Sequence, residues 1–174
     1  MNISAVLGDI TTIYVDAIVN AANSSLLGGG GVDGAIHRAA GPELHSACRA
    51  LRASSHPDGL PVGEAVATPA FALPARWVIH TVGPNRHAGQ ADPVLLASCF
   101  RRSLDVGDEL GAASVAFPAG SAGVYGWDAE EVASIAVAAV RGWQAEHPNA
   151  TVQDVRFVLF NEPLLEAFTA SLGR

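Results

Sequence analysis

Four glycines in a row, Gly28 to Gly31, separate the apolar run Ala17-Ile18-Val19 from an alanine-rich stretch that starts at Gly34. A short run with no polar break is typical of a strand buried on both faces. Consecutive glycines expose backbone N–H groups and permit positive φ, so the chain can close around an anion. A helix leaving such a loop adds the positive end of its dipole. Strand, glycine loop and helix start together describe an anion pocket in an α/β fold. An asparagine and an aspartate ten residues apart, Asn23 and Asp33, sit towards its two ends.

The rest of the chain fits that unit. Strands are expected at Ile3–Leu7, Ala17–Asn20, Glu64–Thr68, Trp77–Val82, Ser114–Phe117 and Val155–Phe160. Helices are expected at Gly34–Ala40, Glu43–Ala53, Pro93–Leu110, Asp128–Gln144 and Pro163–Leu172. Leu95, Leu96, Cys99, Phe100 and Leu104 keep helical spacing, as do Val132, Ile135, Ala136, Val140 and Trp143. Strands alternating with helices predict an α/β/α sandwich with a largely parallel central sheet. Ligands then bind beyond the carboxyl ends of the strands. No repeat or composition shift divides residues 1–174, so one domain is expected.

Composition narrows the function. Net charge is −7, which argues against an extended nucleic-acid surface. All ten basic residues are arginine, which removes Schiff-base chemistry and the Walker lysine. No apolar run has the length of a membrane span and no signal peptide is visible, so no membrane partner is expected. Cys48 and Cys99, far apart, read as reduced cytoplasmic thiols. The six histidines and two cysteines show no metal-ligand spacing.

Several polar residues are placed for chemistry. Asp33, near a helix start, suits an N-terminal acid. Beside a phosphate loop it would also repel the ligand unless it held a hydroxyl or polarised a water. Asn20 and Asn23 suit turns, and their amides equally suit sugar hydroxyls. A second small-residue loop, Pro118 to Gly126, precedes another helix and suits close backbone approach to phosphate. On it, Tyr125 reads as a sugar platform or an exposed aromatic. Asp9 could accept from an exocyclic amine or close a turn. Phe160 could stack on a base or fill the core. His37, four residues after Asp33, reads as structural, and His80 as a packed core histidine.

These pieces resemble the macrodomain family, and within it the MacroD-type ADP-ribosyl hydrolases. The resemblance rests on Gly8-Asp9-Ile10-Thr11, Asn20-Ala21-Ala22-Asn23, Gly29 through His37, Ala40-Gly41-Pro42, His80-Thr81-Val82-Gly83-Pro84 and Ser121 through Gly126, in family order. It implies a three-layer α/β/α fold, with a mixed and mostly parallel sheet, that binds ADP-ribose. It implies that Asp9 meets the adenine amine with Ile10 alongside, and that Phe160 stacks on the ring. Asn20, Ala22, Gly29, Gly30, Gly31 and Val32 on the first loop, and Ser121, Ala122, Gly123 and Val124 on the second, would enclose diphosphate and ribose. Tyr125 would pack on the distal ribose. Asn23 would orient that ribose and Asp33 would activate a water beside its anomeric carbon. No metal or cofactor is implied.

The activity expected is removal of mono-ADP-ribose from acidic side chains, and deacetylation of O-acetyl-ADP-ribose, by a cytoplasmic monomer. A non-catalytic ADP-ribose reader and an ADP-ribose 1″-phosphate phosphatase are the alternatives. Two departures bear on rate and substrate preference. The family's second loop usually has a hydroxyl residue where this chain has Ala122, and often an aromatic and a proline where it has Trp127-Asp128.

Overall fold

The computed structural model describes residues 1–122 and 125–174. Among them are six strands: β1 (Asn2–Leu7), β2 (Ala17–Ala22), β3 (Ala65–Pro69), β4 (Trp77–Val82), β5 (Ser114–Phe117) and β6 (Asp154–Leu159). The helices are α1 (Gly31–Ala40), α2 (Pro42–Ala53), α3 (Pro93–Glu109), α4 (Ala129–Glu146) and α5 (Glu162–Leu172). The strands form one sheet in the order β1-β6-β5-β2-β4-β3. Every neighbouring pair is parallel except β3 with β4, which is antiparallel and lies at an edge. The sheet is therefore mixed and mostly parallel.

Period-two alternation distributes the strand residues between two faces. Val19, Val115, Phe117, Val155 and Phe157 join Phe100, Leu104, Val140 and Phe168 under α3, α4 and α5. Ile18, Val78, Ala116 and Val158 point the other way, onto Ile36, Leu44 and Cys48 of α1 and α2. The product is a three-layer α/β/α sandwich. Both faces of β2 are covered, which is why its sequence carries no alternation.

Local chemistry sets most boundaries. Asp92 accepts from the Val94 amide and precedes Pro93 at the first turn of α3. Asn161 does the same for α5 through Leu164 N–H at 3.0 Å. Most boundaries shift by one or two residues, and two of the differences bear on the site. Helix α1 begins at Gly31, inside the glycine run, so Asp33 is its third residue. Gly31 opens the helix at φ +58°, a left-handed conformation that glycine permits, and no side chain caps this end. Strand β6 stops at Leu159, because its register with β1 ends at Leu7↔Leu159. Phe160 thus leaves the sheet and is exposed.

Phe157 and Phe160 share one short segment but not one environment. Phe157 is buried with its ring 4.9 Å from Phe168 and 5.9 Å from Phe117. Phe157→Ala should cost about 3–5 kcal/mol of unfolding free energy in urea titrations. Phe160→Ala should stay within about 0.5 kcal/mol of wild type. Equal losses would contradict this burial pattern.

Candidate functional site

Strands β2, β5 and β6 run parallel, so the segments that follow them emerge at one edge. There they enclose a cleft of about 490 Å³. The first loop contributes Ala22, Asn23, Gly29, Gly30, Gly31, Val32 and Asp33. The second contributes Pro118 to Ala122 and Tyr125, and Phe160 joins from the end of β6. Val19, Leu96, Cys99, Phe100 and Phe117 make an apolar floor. Gly123 and Val124 lie outside the described residues.

The first loop is held from several directions. The Asn23 amide donates to Gly28 C=O at 2.8 Å, and the hydroxyl of Ser25 donates to the Asn23 side-chain oxygen. Arg52 donates to Ser25 C=O at 2.9 Å, and Leu60 N–H to Ser24 C=O at 2.9 Å. Gly34 shows how closely loop and helix approach: a Cβ there would fall 2.7 Å from the carbonyl oxygen of Gly29. Gly29 is in turn flanked by both polar candidates. A Cβ on it would lie 3.1 Å from Asn23 Nδ2 and 3.3 Å from Asp33 Oδ2.

Asp33 is a nearly buried carboxylate, 4% exposed, at the edge of the cleft. Asn20 Nδ2 donates to its Oδ1 at 2.8 Å, and His37 Nε2 lies 3.3 Å from the same oxygen. Its Oδ2 accepts no hydrogen bond among the described residues. One oxygen is thereby anchored and the other is left on the cleft side. Behind Asn20 is a polar cluster that the sequence does not announce. Asn20 Nδ2 meets His80 Nδ1 at 3.2 Å, and His80 Nε2 meets Thr68 Oγ1 at 3.0 Å and Cys48 Sγ at 3.8 Å. Burial, and after it the charge of His37, push the His80 imidazole down to about pKa 3. Burial, then the charge of Asp33, pushes the Cys48 thiol up to about 11. Burial likewise holds Cys99, in the cleft floor, at about 11. Both thiols stay protonated at neutral pH and are poor nucleophiles.

The second loop is braced from outside. Trp127 is buried, donates from Nε1 to Pro84 C=O at 3.0 Å, and forms a β-bridge with Ala122. The Arg86 guanidinium lies 4.0 Å above the indole and forks onto Glu131 at 2.8 and 2.7 Å. Arg86 N–H also donates to Tyr125 C=O at 2.9 Å. Gly83 fits because a Cβ there would fall 2.1 Å from Ser121 Oγ. Arg86 carries no sequence signal for this role, since its partners are distant in the chain.

Three expected contact residues stand apart from the cleft lining. Asn20 is fully buried and turned to Asp33. Ile10 is buried in the core beneath α1. Asp9 is exposed and accepts from the amide and hydroxyl of Thr11 at 2.9 and 2.7 Å, which holds its carboxyl below the usual range. It lies near Phe160, since Gly8 N–H donates to Leu159 C=O at 2.8 Å. Among the described residues no group of three or more His, Cys, Asp or Glu side chains could hold a metal ion.

The family model described as the Macro domain matches residues 19–136. A macro domain-containing protein of Streptomyces coelicolor is 57% identical over 171 residues, covering 98% of each chain. Another, from Ralstonia nicotianae, is 49% identical over 174 residues, covering 99% of this chain and 95% of that protein. Among solved structures, the Oceanobacillus iheyensis macrodomain with ADP superposes at a TM-score of 0.89 with 43% identity, covering 97% of this chain and 88% of that one. The Trypanosoma brucei macrodomain in complex with ADP-ribose gives 0.89 and 37%, covering 99% and 69%.

The pKa of His80 has a consequence for stability. An unfolded chain takes up a proton on this residue as pH falls through 6.5, whereas the native ring does not until about pH 3. The unfolded state binds more protons in that window, so stability is full above it and declines as pH drops. The decline from this residue is about 1.4 kcal/mol per pH unit below 6.5. Urea titrations at pH 7 and pH 5 should show wild type losing about 2 kcal/mol more than His80→Asn. Parallel losses would mean that His80 is not buried as a neutral ring.

Proposed function

The chain belongs to the macro domain family, and from that premise we propose that its cleft binds ADP-ribose and hydrolyses the ester joining ADP-ribose to acidic side chains. The observation that carries the reading is the Asp33 carboxylate. A site that only retained a diphosphate would gain nothing from a negative charge beside it. Here that charge is nearly buried, anchored through one oxygen, and left with the other on the cleft side.

In this reading the Gly29–Gly31 backbone and the Pro118–Ala122 segment take the diphosphate through N–H groups. Tyr125 packs against the distal ribose. Phe160, exposed at the rim, stacks on the adenine, and Asp9 at the neighbouring strand end accepts from its amine. Asn23 is held by Gly28 and Ser25, so its amide is preorganised to meet a ribose hydroxyl. Asp33 Oδ2 accepts a proton from water as the water oxygen bonds to the anomeric carbon. The bond from that carbon to the ester oxygen breaks, and the acidic side chain leaves as its carboxylate. Rate comes from positioning and fixed charge. Where an acetyl group sits on the anomeric oxygen, the same attack releases acetate.

The test uses a protein ADP-ribosylated on glutamate, with label loss followed over time. Asp33→Ala should lower turnover about 10²-fold or more, as removal of a proton acceptor does. Asn23→Ala should lower it about tenfold, through looser orientation. Both should retain ADP-ribose binding in calorimetry. Micromolar binding by wild type without label loss would make the protein a reader instead. Full activity of Asp33→Ala would remove Asp33 from the mechanism.

A further inference from the structure

We propose that His80 is a positioning residue: its Nδ1, the acceptor nitrogen of the Nε2–H tautomer, holds the second N–H of the Asn20 amide and through it the orientation of Asp33. For its kinetic consequence this rests on the hydrolase reading above.

The argument begins with register. Asn20 of β2 pairs with His80 of β4, and β3 lies on the other side of β4. The three strands carry Asn20, His80 and Thr68 to one face of the sheet, where all three are buried. Buried polar groups must find partners within the protein. A neutral imidazole has one donor nitrogen and one acceptor. His80 Nδ1 faces Asn20 Nδ2 at 3.2 Å, and an amide nitrogen only donates. Nδ1 is therefore the acceptor and the proton sits on Nε2. That proton has an acceptor in place, Thr68 Oγ1 at 3.0 Å.

The Asp33 carboxylate, which only accepts, and the acceptor Nδ1 of His80 together hold the Asn20 amide in one orientation. Its two N–H groups are both used, one on Asp33 Oδ1 at 2.8 Å and one on His80. Turned over, the amide would press its oxygen against a carboxylate oxygen and an imidazole lone pair at once. The observed orientation leaves Asn20 Oδ1 buried without a partner among the described residues. A core that only needed filling would not retain such an orphan, because an apolar side chain fits without the penalty. The orphan makes sense if the direction of Nδ2 is what matters. With Oδ1 of Asp33 secured from behind, Oδ2 is the atom presented to the cleft. His80 touches no ligand in this scheme.

Two measurements test it. In ¹⁵N-labelled wild type, two-bond ring correlations should report the Nε2–H tautomer of His80 at pH 7. The Nδ1–H tautomer, or an imidazolium, would overturn the proposal. Kinetically, His80→Leu should lower kcat about tenfold or more while ADP-ribose affinity stays within threefold. His80→Asn, whose side-chain oxygen takes the place of Nδ1, should restore most of the loss. Thr68→Val, which leaves the buried Nε2–H without its oxygen acceptor and loosens the ring, should lower kcat several-fold. Wild-type kcat in folded His80→Leu, or in Thr68→Val if the leucine variant does not fold, would overturn the proposal. A wild type without turnover would defeat the hydrolase reading instead, and the tautomer measurement would still decide the ring's part.

Discussion

The hydrogen bond from Asn20 to Asp33 joins the end of the central strand to the first turn of α1 across the glycine loop. Much of the site depends on it. A carboxylate with 4% exposure is costly to bury unless its charge is met by donors. Asn20 at 2.8 Å, His37 at 3.3 Å and the positive end of α1 meet it from three directions. Once Asp33 is fixed, the intervening residues have little freedom. Gly34 must pass within van der Waals reach of Gly29, and Gly29 must run between Asn23 and Asp33. The approach at Gly34 requires a residue without a side chain, and the one at Gly29 leaves a Cβ little room.

Topology places the second half of the cleft. The chain leaves β2 for α1 on one face of the sheet, and leaves the adjacent parallel strand β5 for α4 on the opposite face. Two loops departing to opposite faces from neighbouring strand ends open a crevice between them, which is where open α/β sheets bind ligands. Trp127 and Arg86 then hold the second loop. The indole supplies the buried anchor, and the guanidinium bridges it to Glu131 of α4. Trp127 acts as a brace against Pro84.

What was legible in the sequence follows the range of the interactions. The strands, the helices and the mostly parallel sheet rest on local periodicity and caps, and Asp92-Pro93 or the apolar run of β2 announce themselves. The start of α1 did not, because glycine disfavours a helix on propensity while tertiary packing of Asp33 and Ile36 imposes one. Phe160 reads as part of a strand until the partner strand β1 is known to end first. Asn20 read as a turn or sugar-binding residue because its neighbours in sequence suggest both. Its partners, Asp33 and His80, come from another element and another strand. His80 read as core, and its burial agrees. Its hydrogen bonds, to β2 and β3, are set by register alone.

Electrostatics ties the acidic composition to the proposed anionic ligand. No arginine lines the cleft among the described residues. Several arginines serve as braces: Arg52 on the first loop, Arg86 on the second, Arg102 on Glu64 and Asp105, and Arg156 on Asp154. A diphosphate entering this cleft would meet fixed backbone dipoles and a helix terminus instead of mobile cations. Fixed dipoles need no reordering when the ligand arrives, and they leave the Asp33 carboxylate without a neutralising arginine in the cleft. An arginine there would draw the carboxylate's free oxygen into an ion pair and away from a water. Among the described residues, a lining without cationic side chains leaves its one anionic group available for the proposed proton transfer.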